Sequence, residues 1–172
     1  MSAAVAARRP QAARPTVALA ALVIVVAALA VAAGVLALRV RASQAAQAAR
    51  TASVTAAERE VPALLSYSYQ SFSGNLAHAA AYTTGAFRSQ YLRLMSSQVE
   101  QRAMANHVVT QASVSAASVV DAQPGRATLL LFLSEQTKTD AKQQAILNDT
   151  AVRVTMREVN GTWLIAGLVP RS

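Results

Sequence analysis

The chain has 172 residues, enough for one domain of ordinary size and one appendage. It holds 40 alanines, is 53% hydrophobic, and carries only 14% charged and 5% aromatic residues. An ordinary soluble domain has roughly 25% charged residues, so composition already points to a membrane segment. Cysteine is absent, which excludes disulfide scaffolds, thiolate nucleophiles, iron–sulfur clusters and Cys-ligated zinc. The net charge of +8 looks like a nucleic-acid signal until it is divided: residues 1–50 carry six Arg and no acid, whereas residues 51–172 carry ten Lys+Arg against eight Asp+Glu. The basic character belongs to the flanks of a hydrophobic run, and nucleic acid is not expected as a partner. Fourteen of the sixteen basic residues are Arg, a usage that, with so much Ala, hints at a high-GC bacterial source.

After a basic tail (1–15), the segment 16–38 is 23 residues without a charge, from Thr16 to Leu38. As a helix it is roughly 35 Å long, enough to cross a hydrocarbon core of about 30 Å. The alternative is a cleaved signal peptide, with Ala28-Leu29-Ala30 as the small-residue site. The apolar run continues well beyond the length of a signal core, so an uncleaved anchor is expected. Three Arg precede the span, and Arg39, Arg41 and Arg50 follow it, so the positive charges alone leave orientation tied. The short tail makes a cytoplasmic N-terminus the usual outcome.

Residues 39–60 are rich in Ala, Gln and Arg with neither Gly nor Pro, and read as a helical stalk. An Ala-seam coiled coil with a partner helix is the alternative. Pro62 is expected to break or restart the helix. Val61, Leu64, Leu65, Ser68 and Phe72 recur at helical spacing, with Tyr69 beside them. Ser73-Gly74-Asn75 reads as a turn capping a short helix from Leu76 to Tyr82, and Thr83-Thr84-Gly85 breaks the chain again. Phe87, Tyr91, Leu94, Met95 and Val99 then form one apolar stripe opposite Arg88, Ser89, Arg93, Ser96, Ser97 and Glu100.

After Asn106 the period changes to two. Val108, Thr110, Ala112, Val114 and Ala116 alternate with polar or exposed positions, which predicts a half-buried strand. Gln123-Pro124-Gly125 is a turn, and Ala127 to Leu133 is apolar on both faces, as in a central or helix-covered strand. Ser134 to Leu147 is mostly polar and reads as a long mobile connection or ragged strand ends. The run from Val152 to Arg157 alternates throughout. Asn160-Gly161 then gives a strong hairpin signal, because a type I′ turn needs positive φ at both central residues. The last strand runs from Trp163 to Pro170. Residues 61–172 are thus helices followed by about four antiparallel strands, an α+β layer fold.

The inventory for chemistry is thin. His78 and His107 have no second metal ligand at a useful spacing and read as surface histidines, and no nucleophile elbow or phosphate-binding Gly-rich loop is present. Asn148-Asp149-Thr150 and Asn160-Gly161-Thr162 match the glycosylation sequon, which a bacterial host would leave idle. Glu158 is the one acid to weigh, because it shares parity with Val152, Val154 and Met156 and so points to the buried face. A carboxylate in an apolar cavity beside a tyrosine would serve as a general acid or base. The plainer reading is that the strand end frays and Glu158 reaches water. No catalytic, cofactor-binding or metal-binding residue is assigned, and no enzyme activity is expected.

The segments AAEREVPALLSYSYQSFSGNLAHAAAYTTGAFRSQYLRL and RATLLLFLSEQTKTD, with the closing hairpin VRVTMREVNGTWLIAGLVP, resemble the Mce-associated membrane proteins of actinobacteria. The resemblance spans essentially Thr16 to Pro170. Its most telling pieces are Leu64 to Tyr69, Thr84-Gly85-Ala86-Phe87, Gln136-Thr137, and the hairpin through Trp163-Leu164. Ser68 stands where that family usually has an acid. The resemblance implies a cone-shaped nuclear-transport-factor-2-like soluble domain outside the plasma membrane, a single span and a cytoplasmic N-terminus. It also implies a non-enzymatic accessory subunit of an Mce-type importer of lipids or sterols, whose partners are the bilayer and the other transporter subunits. Two alternatives stand beside it. One is an assembly subunit of a type IV secretion-like complex, and the other a tethered pocket domain that binds lipid or acts as a SnoaL-like enzyme through Glu158 and a tyrosine.

Overall fold

The computed structural model describes residues 15–171. The chain divides into two compact units, the first ending at Ser43 and the second beginning at Gln44. Helix α1 spans Pro15–Leu65. Its first part is a bare apolar rod in which Leu22, Leu29 and Leu38 are all exposed. Among the described residues it is the one helix long and apolar enough to cross a membrane. Its second part differs. Ser53, Ala57, Glu60, Val61 and Leu64 are at most 2% exposed, and their spacing of three and four residues places them on one face. The segment from Gln44 to Glu60, which reads as a stalk in the sequence, therefore packs within the second unit.

Pro62 does not break α1. The helix passes through it and closes its last turn with the Ser66 N–H donating to the Pro62 carbonyl at 2.9 Å. A helical proline gives up the hydrogen bond to the carbonyl four residues earlier and crowds it; here that carbonyl belongs to the exposed Glu58, where water can take the donor's place. The run at helical spacing beyond Leu65 is interrupted by the two-residue strand β1 (Tyr67–Ser68) and a tight 3₁₀ turn at Tyr69–Ser71. Helix α2 (Phe72–Ala81) begins four residues earlier than expected, with Ser73-Gly74-Asn75 inside it. The turn chemistry of Asn75 is used backwards: its Oδ1 accepts from the Ser68 N–H at 3.2 Å and the Ser71 hydroxyl at 2.8 Å, pinning β1 to α2.

The predicted break at Thr83-Thr84-Gly85 is present, and Gly85 adopts φ +61, a left-handed conformation that favours glycine. Helix α3 (Gly85–Leu94) runs into a π turn at Met95–Val99 and then helix α4 (Glu100–Ala105). Tyr91 and Met95 are buried on the predicted stripe, whereas Leu94 is 49% exposed and leaves it.

The sheet has the order β1-β2-β3-β4-β5, all antiparallel, with β2 at Val109–Gln123, β3 at Arg126–Thr139, β4 at Lys142–Val159 and β5 at Thr162–Arg171. The β2–β3 turn is Pro124-Gly125, with Gly125 at φ +77. The β4–β5 turn is Asn160-Gly161 at φ +51 and +77, the expected type I′ geometry. Residues 134–147 are not a mobile connection but the paired ends of β3 and β4, matched from Ser134↔Asp149 to Thr139↔Lys142. Their polarity reflects exposure at the far end of a long hairpin.

Ala116 also departs from expectation. Register shifts between Val114 and Ala116 and between Val119 and Asp121 move the inward positions to Ala117, Val119 and then Ala122, leaving Ala116 exposed. A bulge flips parity, which a strict period of two cannot anticipate. On β3, Ala127, Leu129, Leu131 and Leu133 are buried, while Phe132 on the other face is 47% exposed. The inward face of β3, β4 and β5 forms one core with Leu64, Phe72, Tyr91 and Met95 of the helices.

Candidate functional site

An apolar cavity of about 380 Å³ opens where the end of α1, strand β1, helix α3 with its π turn, and the end of β5 meet. Leu64, Tyr67, Phe87, Tyr91, Met95 and Leu168 supply most of its wall, with Gln90 as a polar group and the exposed Leu94 at its edge. The segments Leu64 to Tyr69 and Thr84 to Phe87 and the end of the closing hairpin, distant in sequence, all contribute to this one site.

Each wall has a local cause. The Tyr91 hydroxyl donates to the Leu64 carbonyl at 2.8 Å, tying α3 to the last turn of α1. Burial, with a smaller effect from neighbouring Tyr67, pushes the Tyr91 phenol up to about 12, so it stays a neutral donor. Tyr67 meets Phe72 edge-on at 5.6 Å between ring centroids. Within the π turn, Ser96 and Ser97 follow Met95, and their hydroxyls donate to the carbonyls of Leu92 at 2.8 Å and Arg93 at 2.6 Å. Such turns insert a residue into a helix and often mark functional positions.

The candidates weighed from the sequence are not brought together here. Glu158 is exposed at the end of β4, where its N–H donates to the Gly125 carbonyl at 3.0 Å and joins the tips of two hairpins. Its parity was read correctly, but Met156 is the last buried residue of the strand, and Glu158 lies past it in water. Glu158 thus reaches water, as the plainer reading has it, and the alternative of a general acid or base finds no apolar cavity around it. His78 is exposed and contacts the Tyr82 hydroxyl at 3.3 Å. His107, at φ +49, lies on Tyr69 with 4.5 Å between centroids and pairs with Asp140. Among the described residues no group of three His, Asp or Glu is placed to hold a metal ion.

The sequence reading missed Glu60. Its side chain is fully buried, and Oε1 accepts from Arg59 at 3.0 Å while Oε2 has no partner. Burial raises its pKa, and the Arg59 hydrogen bond and charge oppose this only in part. The signal was present in the spacing Ser53, Ala57, Glu60, Leu64, which puts Glu60 on the buried face.

The outer face of the sheet is the other exposed feature. Phe132, Leu147 and Val169 are 47%, 70% and 60% exposed there. Beside them a shallow hollow is lined by Ser115, Phe132, Ser134 and Asp149.

No family model matches the chain. The outer membrane protein Rv1973 of Mycobacterium tuberculosis is 36% identical over 125 residues, which cover 73% of this chain and 78% of that protein. Among solved structures, an IcmL-like type IV secretion system protein of Legionella pneumophila superposes with a TM-score of 0.60 at 14% identity, covering 72% of this chain and 93% of that one. CagV, a VirB8 homolog of the type IV secretion system of Helicobacter pylori, gives 0.56 at 15% identity over 69% and 95%. At such identities the likeness concerns the fold, which is the nuclear-transport-factor-2-like α+β layer of VirB8-type domains. By sequence, the chain belongs to the family of the mycobacterial outer membrane protein Rv1973.

Proposed function

We propose that the protein is a membrane-anchored, non-enzymatic assembly subunit of a multi-protein transport complex of the cell envelope. The observation that carries this reading is the pairing of one apolar N-terminal helix with the fold of the type IV secretion proteins, over more than 90% of the length of those domains. In this reading α1 fixes the subunit in the plasma membrane with its N-terminus in the cytoplasm. The second unit lies outside and offers its exposed sheet face, with Phe132, Leu147 and Val169, to protein partners.

The fold likeness favours a type IV secretion-like machine. An Mce-type lipid or sterol importer is the second reading, favoured by the sequence segments that line the apolar cavity and by the mycobacterial relative. A gentle-detergent pull-down of the tagged full-length protein from its native membrane, read by mass spectrometry, separates them. Secretion ATPases and channel subunits are expected for the first; Mce-type substrate-binding proteins, a permease and an ATPase for the second. Recovery of the protein alone, with lipid bound, would overturn the assembly reading.

Orientation has its own test, since the chain has no Cys. A cysteine introduced as Val169→Cys should react with an impermeant maleimide on intact cells, and one introduced as Ser2→Cys should not.

A further inference from the structure

Arg126 and Arg157 are direct register partners on β3 and β4. Directly opposed residues of an antiparallel pair hold their Cβ atoms roughly 5 Å apart, and like charges in that position are destabilising. An opposed pair normally carries opposite signs or is relieved by a nearby acid. Among the described residues the ion pairs are Arg59–Glu60 and His107–Asp140, and neither Arg126 nor Arg157 takes part in a side-chain hydrogen bond. Of the neighbouring acids, Glu158 falls on the opposite face from Arg157 by alternation along β4. Asp121 of β2, opposite Thr128, shares the face of Arg126 one diagonal step away, but its carboxylate accepts from Gln123 at 3.4 Å and forms no ion pair with either arginine.

The two guanidinium groups also line a cavity. It measures about 240 Å³ and is closed by Thr155 and Ala166 from the sheet and by Gly85 and Phe87 from the start of α3. Thr155 adds a hydroxyl between β3 and β5. Gly85 holds φ +61 with open space around its Cβ position, so the backbone rather than a side chain forms that wall. A concave, partly polar hollow with two cations that have no ion-pair partner suits one small oxyanion: guanidinium forks match the oxygens of a phosphate group bidentately.

We propose that Arg126 and Arg157, with Thr155, form a binding site for a phosphate group. The proposal does not depend on which complex the protein joins. The phosphate is either free or the headgroup of an anionic lipid, and both use the same contacts.

The test uses full-length protein in a neutral maltoside detergent at constant ionic strength. Titrants are inorganic phosphate, short-chain phosphatidylglycerol and short-chain phosphatidylcholine, followed by calorimetry and thermal unfolding. Saturable binding of inorganic phosphate is expected if the ligand is free. Binding of phosphatidylglycerol but not of inorganic phosphate is expected if the ligand is a headgroup. Each of Arg126→Gln and Arg157→Gln should weaken binding roughly tenfold, the size of one lost charge-assisted contact. The double variant should abolish it, while Arg153→Gln, four residues along β4 from Arg157 on the same face, should leave it intact. The double variant should also unfold no earlier than the wild type without ligand, since it removes a repulsion, which separates lost binding from misfolding. Saturable binding that survives in the double variant, equal binding of phosphatidylcholine, or no binding of either phosphate probe by the wild type would overturn the proposal.

Discussion

The two parts of helix α1 invert the usual link between hydrophobicity and burial. From Leu22 to Leu38 the helix is almost wholly Ala, Val, Leu and Ile, and every side chain is exposed. From Gln44 to Leu65 it is rich in Ala and carries Gln, Thr, Arg and Glu, yet Ser53, Ala57, Glu60 and Val61 are fully buried. The buried face of the second part, with Ala57, Val61 and Leu64, joins the core shared with the sheet, while an exposed apolar surface such as that of the first part suits a solvent that is itself apolar. Hydrophobic content therefore reports which solvent a segment meets, and the spacing of small residues reports which face meets protein.

The sharpest break of this comparison is a pair of identical substitutions on the same helix. Leu64→Ala, at a position 2% exposed, should destabilise the second unit by about 3 kcal/mol. Leu29→Ala, at 64% exposed, should leave its unfolding unchanged. Trp163, 7% exposed in the core, is a native fluorescence reporter for both. Equal effects would mean that the two parts are not distinct.

Leu29→Arg examines the first part from the other side. It should reduce the membrane-integrated fraction, at a cost of about 3 kcal/mol near the centre of a span. Carbonate extraction reads that fraction, and the variant should leave the fold of the second unit untouched.

A smaller effect is expected from Tyr91→Phe, which removes the donor to the buried Leu64 carbonyl and with it the tie between α3 and the end of α1. A loss of about 1.5 kcal/mol in denaturant unfolding is the expected size.

The smallest effect concerns Glu60. Burial places its folded-state pKa above the ordinary 4.5, so as pH rises the unfolded chain releases its proton first. The contribution of Glu60 to stability is therefore greatest below about pH 4.5 and declines as pH climbs from there through the raised folded value, then levels off. Glu60→Gln should flatten that decline and add on the order of 1 kcal/mol at pH 8, by relieving a charged, half-satisfied buried acceptor. A steeper decline in the variant would show that the Arg59 contact outweighs burial.

Much of the architecture was legible in the residues. The uncharged run from Thr16 to Leu38, the stripe of Phe87, Tyr91 and Met95, and the Asn160-Gly161 turn each carry local signals, because helix period, turn backbone and apolar length are properties of short segments. The apolar cavity was not legible. Its walls come from four elements far apart in sequence, and no local pattern says that Leu64, Phe87 and Leu168 line one space. Glu158 shows the same limit in reverse: alternation gives its face, but only the extent of the helical layer decides whether that face is covered.

The sequence by itself determined that this chain carries a membrane-type helix and an α+β unit of helices followed by a meander, since both rest on composition and period. The tertiary structure alone decided that a polar-looking segment with a glutamate enters the core, that a bulge after Val114 turns Ala116 outward, and that Arg126 stands opposite Arg157. Each of these depends on strand register and on which surfaces meet, and those are set by the packing of distant segments rather than by the neighbours of any one residue.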